Sequence, residues 1–246
     1  MQMFRLKRIC VKLLRLADFL PGIAYRLIML VWRGVDISFH STLKTWHAAN
    51  FRFGRNILIE KDCLLDAPGG SKIELGDGVT VQNGTHLITQ GGKGISIGAC
   101  TSVNRFCVLY GTGGISIGRD CLIAPMCVIV AGSHRFDDPR VPINRQGRTA
   151  KGITIGNNCW LGSRVTVLDG VTIGDGCVIG AGAVVSCDIP PNSVAVGVPA
   201  RVIKQRSPHT DDGHHKGLSI GYDGSVNASF CAVGHPRVEP ARDPVC

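Results

Sequence analysis

The chain has 246 residues, of which 44% are hydrophobic, enough for one large or two small domains with a sizeable core. Only 6% are aromatic against 32 glycines, which suits tight corners around a narrow aliphatic interior better than a conventional globular core. The formal charge of +9 is uneven: seven Lys or Arg and the single acid Asp18 precede residue 35, which excludes a whole-protein nucleic-acid footprint and points to an anionic membrane or acidic partner near that end.

Residues 1–34 read as a basic amphipathic helical segment. Met3, Leu6, Cys10, Leu13, Ala17 and Leu20 alternate at spacings of three and four, with Arg5, Lys7, Arg8, Lys12 and Arg15 mostly between them. Pro21 and Gly22 break the helix, and the apolar run from Ile23 to Trp32 falls well short of the roughly 20 residues of a spanning helix. Two readings stand side by side: a peripheral membrane contact through residues 1–33, and a cap packed on the body of the protein or on another subunit.

From Val35 a period of six appears faintly, at Ile37 and Leu43, and then settles. It is clearest in GITIGNNCWLGSRVTVLDGVTIGDGCVIGAGAVV, residues 152–185, where Ile155, Leu161, Val167, Ile173, Ile179 and Val185 recur every sixth position and glycine follows four of the six. A small or branched residue stands two places before each: Ile153, Cys159, Val165, Val171, Cys177 and Ala183. Six matches neither the 3.6 period of a helix nor an uninterrupted strand, and predicts short strands joined by tight turns, the hexapeptide β-helix pattern. Glycine at the corners is expected to relieve Cβ sterics.

Grouped in threes, the aliphatics make about six coils, beginning at Phe53, Leu75, Ile97, Ile117, Ile155 and Ile173. Six coils about 4.8 Å apart give a column about 29 Å tall. Departures from six fall only between sets, at Gly69-Gly70, Gly91-Gly92, Gly113-Gly114 and in one long excursion, so every insertion is expected at one corner. Eleven cysteines do not make a disulfide framework here, because Cys107, Cys121, Cys127, Cys159 and Cys177 follow the repeat and no signal peptide with a small-residue cleavage site is evident. They read as small core residues of a protein in a reducing cytoplasm.

The excursion, loop 131–152, carries His134 near its start, and histidine is the side chain best matched to proton transfer at neutral pH. Asp137 and Asp138 either orient that imidazole or form the turn before Pro139. Arg135, Arg140, Arg145, Arg148 and Lys151 make the loop basic, attracting an anionic ligand or keeping the loop solvated. Beyond Asp188 the strict repeat ends in IPPNSVAVGVPARVIKQR, a cap, and residues 207–246 read as a disordered tail in which His214 and His215 are solvated.

AGSHRFDDP, ITIGNNCWLGS and DIPPNSVAVGVPARVIK, in this order and spacing, resemble the hexapeptide-repeat acyltransferases, in the branch of maltose and galactoside O-acetyltransferases and the O-acetyltransferases of polysaccharide biosynthesis. The similarity covers roughly residues 35–206. It implies an all-β fold, a left-handed parallel β-helix, assembled as a homotrimer with active sites between columns, and acetyl-CoA as acyl donor to a sugar or glycan acceptor, with no metal. His134 matches the family's general base and Asn104 an acceptor contact, although stabilising a coil corner explains Asn104 equally well. Ser163 matches the acetyl end of the cofactor site, with Trp160 on the same acetyl-CoA side, Ala181 a backbone contact to pantetheine, and Ser186, Arg201 and Lys204 positions near the CoA phosphates. Cys187 departs from a lysine of the pattern, and Thr112 stands where relatives carry an acidic acceptor contact, which argues against simple maltose-like specificity.

The resemblance points to an O-acetyltransferase of exopolysaccharide, capsule or lipopolysaccharide biosynthesis, cytoplasmic or peripheral at the inner membrane face. A small soluble acceptor such as free sugar or serine is the alternative enzyme, and a non-catalytic β-helix scaffold the alternative class. A zinc carbonic anhydrase on this fold needs three converging histidines, and His86 and His134 have no third partner at suitable spacing.

Overall fold

A computed structural model describes residues 34–38, 40–44 and 48–207, all within the first of two compact units, Met1–His209. The basic helical segment and the tail expected at the two ends lie outside the described residues, apart from Gly34 and Ser207. Among the described residues no helix is long and apolar enough to cross a membrane.

The period of six becomes strands of two or three residues that visit three parallel sheets in turn. Face I begins at Asp36–Ile37 and runs through Leu122–Ile123 and Trp160–Leu161 to Ser193–Val196; face II runs from Thr42–Lys44 to Val184–Val185; face III runs from Phe51–Phe53 to Thr172–Ile173. Strands pair with the equivalent strand one coil away, for example Ile117 with Ile155 and Ile123 with Leu161, so the aliphatics of each face stack into one core. Ile59, Leu65, Val103, Leu109, Leu161 and Ile179 are fully buried. The faint opening signal is a real coil, since Ile37 pairs with Ile59 and Leu43 with Leu65, which gives about seven turns where the six sets counted from Phe53 left it out.

All the insertions do emerge at one corner, between faces II and III. The other two corners are tight, and each places one residue in the left-handed region, such as Asn158 (φ 53°) between faces III and I and Arg164 (φ 61°) between faces I and II. The glycines that follow the aliphatics have a different cause. Gly156 is not left-handed; a Cβ there would lie 2.6 Å from the backbone nitrogen of Asp175 and 2.8 Å from the carbonyl carbon of Gly174, so glycine is needed because the next coil passes too close.

The small inward positions hold donors for a physical reason beyond size. The thiols of Cys127, Cys159 and Cys177 reach the carbonyls of Gly162, Gly174 and Pro190 at 3.2, 3.2 and 3.0 Å, and the hydroxyls of Thr85 and Thr101 donate to Asn104 and Gly118 at 2.8 Å. Each satisfies a corner carbonyl of the next coil that no strand bond reaches. Burial pushes the Cys63 and Cys177 thiols up. The column ends where Ser193–Val196 extends face I in parallel and Arg201–Gln205 returns antiparallel beside it.

Candidate functional site

The excursion 131–152 leaves the column at the II–III corner, directly after the strand Val128–Val130. Its two arms form an antiparallel pair, Ser133–His134 against Arg148–Thr149, with His134 opposite Arg148. His134 is exposed, and among the described residues its imidazole has no hydrogen-bond partner, so it can take a proton from an incoming hydroxyl. Arg135 donates its backbone N–H to Gly147 at 3.1 Å, extending the pairing toward the tip.

Two side chains that sequence reasoning passed over hold this loop. Gln146 donates to the carbonyls of Asp138 (2.8 Å) and Val141 (2.6 Å) while its own carbonyl accepts from the Asp138 N–H at 3.1 Å. Asp169, one coil on at the same corner, accepts from the backbone N–H groups of Lys151 (3.0 Å) and Gly152 (2.9 Å) and from the Thr149 hydroxyl (3.2 Å). The arm that pairs with His134 is therefore fixed to the column by a carboxylate. The signal was there in principle: an acid two residues after the inward Val167, at the one corner where insertions occur.

Asp138 belongs to the turn, not to the histidine. Its two carboxylate oxygens accept from Nε and Nη2 of Arg140, both at 2.9 Å, and that guanidinium holds the carboxyl below the usual carboxylate range. Of the five basic loop residues, Arg140 is thus neutralised. Arg148 donates from Nη1 to the side-chain Oε1 of Gln90 at 3.4 Å, and the same oxygen accepts from the Thr112 hydroxyl at 3.0 Å. Thr112 and Arg148 accordingly share one hydrogen-bonded patch beside the hairpin.

Most of the remaining candidates fall elsewhere on the column, at the I–II corner and on face I. Asn104, Ser163 and Ala181 occupy the I–II corner. Asn104 donates its side-chain amide to the Ile123 carbonyl at 2.9 Å, so it does stabilise a corner; Gly182 N–H donates to the Ser163 carbonyl at 2.8 Å, setting Ser163 and Ala181 on adjacent coils. Gly162 allows that approach, since a Cβ there would meet the Ala181 nitrogen at 2.6 Å. Trp160 projects from face I, 46% exposed, between Leu122 and Val178. Arg201 and Lys204 lie exposed on the terminal strand of the same face, Lys204 opposite Val194. Ser186 follows the last strand of face II, on the His134 side. The structure thus brings Trp160, Ser163 and Ala181 together and sets His134 at a different corner, so one column by itself does not converge the whole set. Among the described residues no three His, Cys, Asp or Glu side chains converge on a common point.

Comparison with known proteins agrees with this architecture. The family model described as bacterial transferase hexapeptide (six repeats) matches residues 152–187, and that described as hexapeptide repeat of succinyl-transferase matches residues 56–88. A putative lipopolysaccharide biosynthesis O-acetyl transferase of Escherichia coli is 34% identical over 166 residues, which is 64% of this chain and 84% of that one. A probable acetyltransferase of Mycobacterium tuberculosis is 38% identical over 137 residues, 56% of this chain but only 43% of that longer protein. Among solved structures, a hexapeptide-repeat acetyltransferase of Vibrio cholerae complexed with acetyl coenzyme A is 33% identical with a TM-score of 0.50, over 54% of this chain and 70% of that one.

Proposed function

The chain belongs to the hexapeptide-repeat acetyltransferases, and on that footing we propose that it transfers an acetyl group from acetyl-CoA to a sugar hydroxyl during polysaccharide biosynthesis. The observation that carries this reading is His134, exposed and with no imidazole partner among the described residues, on a hairpin that a carboxylate ties to the column. His134 removes the proton from the acceptor hydroxyl as its oxygen attacks the thioester carbonyl. The tetrahedral intermediate then collapses with cleavage of the C–S bond, and the imidazolium returns the proton to the CoA thiolate. Ser163 at its corner supplies a hydroxyl for the developing oxyanion, and Trp160 and Ala181 line the path of the pantetheine. Arg201 and Lys204, with Ser186, receive the phosphates. Asn104 holds the acceptor through the amide oxygen that its corner bond leaves available.

In this proposal the working unit is a homotrimer in which the loop of one column closes over the I–II edge of the next. Three features support it: His134 and Ser163 lie at different corners; Phe136 on the loop is 69% exposed; and Leu122 and Trp160 form an apolar stripe with Phe106 and Met126 at the adjoining corner. The basic segment 1–33 favours a cytoplasmic enzyme in peripheral contact with an anionic inner leaflet, near a lipid-linked acceptor.

The test is release of CoA thiol from acetyl-CoA by the purified full chain, screened over lipid-linked and free sugar acceptors. His134→Ala is expected to lower turnover about a hundredfold or more while the fold is retained. Unchanged release in the variant removes His134 from the chemistry, and failure to bind acetyl-CoA at all leaves a non-catalytic scaffold.

A further inference from the structure

The outer surface of face III carries a groove of about 740 Å³ that none of the residues assigned above lines. Its floor is a ladder of exposed hydroxyls. Ser96, Ser116, Thr154 and Thr172 are in direct register on consecutive parallel strands, so they recur along the column every ~4.8 Å. Faces I and II turn out a mixture, with Leu58, Leu122, Trp160, Leu64 and Val128 among polar residues such as Thr80, Ser102, His86 and Thr166, whereas face III turns out only hydroxyls and charges from Arg52 to Thr172.

One wall of the groove is the II–III corner, where glycines replace side chains. A Cβ at Gly114 would lie 3.2 Å from Cβ of Lys93, and one at Gly170 would lie 2.9 Å from Cδ of Lys151. The lysine stems therefore lie across glycine, and any larger residue there would displace them. Lys72, Lys93 and Lys151 are all exposed lining residues. Glu74 is the single acid in the lining, and Arg52 holds it at 3.1 Å. Asp169, behind Gly170, is occupied by the backbone of Lys151 and Gly152. The groove is cationic, and its charges are spread along the axis instead of clustered as a compact phosphate group would require.

At one end it runs into the reacting loop. Lys151 and Gly152 follow, after Ala150, the arm Arg148–Thr149 that pairs with Ser133–His134, and Gly113 adjoins Thr112 in the patch with Gln90 and Arg148. At that end the neutral Thr112 lies beside a cation.

We infer that this groove binds an extended anionic glycan, a polysaccharide whose sugars carry carboxylates, with its hydroxyls on the Ser/Thr ladder and its carboxylates on Lys72, Lys93 and Lys151. The spacing of the ladder is comparable with the length of one pyranose in an extended chain, so successive sugars meet equivalent groups. That the bound chain is also the acceptor rests on the acetyl-transfer reading above; the binding does not.

The experiment titrates the full-length protein with oligogalacturonides, with neutral dextran oligomers and CoA in parallel, and repeats it on Lys72→Gln/Lys93→Gln. The wild type is expected to bind oligogalacturonides, more weakly as salt rises, and not dextran; the double variant is expected to lose about tenfold in affinity, the equivalent of ~1.4 kcal/mol. Thiol release with a monosaccharide acceptor is expected to stay unchanged in the variant. Equal affinity of variant and wild type, equal binding of dextran, or a loss of CoA affinity in place of glycan affinity overturns the inference. Lysine-dependent glycan binding by a protein that transfers no acetyl group supports the groove and refutes the enzyme; acetyl transfer without glycan binding does the reverse.

Discussion

Asp169→Ala tests whether His134, the proposed base, is positioned by a residue that never touches it. The carboxylate accepts three hydrogen bonds that tie residues 149–152 to the next coil. Bonds to a charged acceptor are worth about 1.5–3 kcal/mol each where buried, but Asp169 is half-exposed and water re-satisfies the freed N–H groups, so the expected total loss is about 2 kcal/mol. For a domain of this size that lowers the thermal midpoint by about 4–8 °C. The effect on turnover is larger in proportion, because the freed arm is the one paired with His134, and a displacement of about 1 Å at the base costs about a hundredfold. Asp175→Ala is the control. Its carboxylate accepts from the Asn157 backbone N–H at 2.7 Å and from the Asn157 side chain at 3.3 Å, the same kind of inter-coil bond at a corner with no loop. Thiol release measured well below both midpoints is expected to show kcat reduced in Asp169→Ala with KM for acetyl-CoA nearly unchanged, kcat preserved in Asp175→Ala, and Asp169→Asn in between. Normal kcat in Asp169→Ala, or equal losses in the two variants, refutes the positioning role.

Gly156→Ala places a methyl group against the Asp175 carboxylate and 2.6 Å from its backbone nitrogen; overpacking of this kind costs about 1–3 kcal/mol, read as a lowered urea midpoint. A neutral substitution would show that the coil spacing adjusts. Alkylation of the native protein at neutral pH is expected to label Cys187 rapidly and to reach Cys63, Cys107, Cys121, Cys127, Cys159 and Cys177 only after denaturation, as scored by peptide mass spectrometry. Because burial raises the Cys63 and Cys177 thiols above their unfolded values, their contribution to stability is fully present below the ordinary thiol pKa and is lost as pH rises through the folded values. Denaturant midpoints are therefore expected to fall on the alkaline side; a midpoint independent of pH there would mean that these thiols are solvated.

Much of the scaffold was legible because a solenoid is nearly one-dimensional. Each coil contacts only its neighbours, so the period of six alone assigns Ile155, Leu161 and Val167 to three faces and predicts that each stacks on its equivalent a coil away. The same logic places every insertion at one corner, between faces II and III. Where the pattern is faint, at Ile37 and Leu43, the period marks the first coil only weakly and the count of six leaves it out; its pairing with Leu58–Ile59 and Leu64–Asp66 brings the total to about seven. The steric reason for the repeat glycines is also legible, but only the approach of Asp175 to Gly156 shows that the clash is with the next coil.

The candidate site divides differently. His134 could be found from the sequence because it interrupts a regular pattern at the start of a long insertion. Asp169 is marked only as an acid at the insertion corner; what it binds, like the contacts of Gln146 and of Arg148 and Thr112 with Gln90, joins positions 5 to 58 apart that no period encodes. Asp138 stood equally near the histidine in sequence, yet its carboxylate faces Arg140.

What the amino-acid sequence determined by itself is therefore the column, its coil-by-coil register and the corner from which the loop departs, because hydrophobic burial at a fixed period leaves one way to stack. What only the tertiary structure decided is what meets at those corners: the Asp169 carboxylate that anchors the His134 arm, the pairing of Asp138 with Arg140 instead of the histidine, and the lysine-lined groove on face III. Those placements depend on lateral directions around the column, and a one-dimensional repeat carries distance along its axis but not what meets across it.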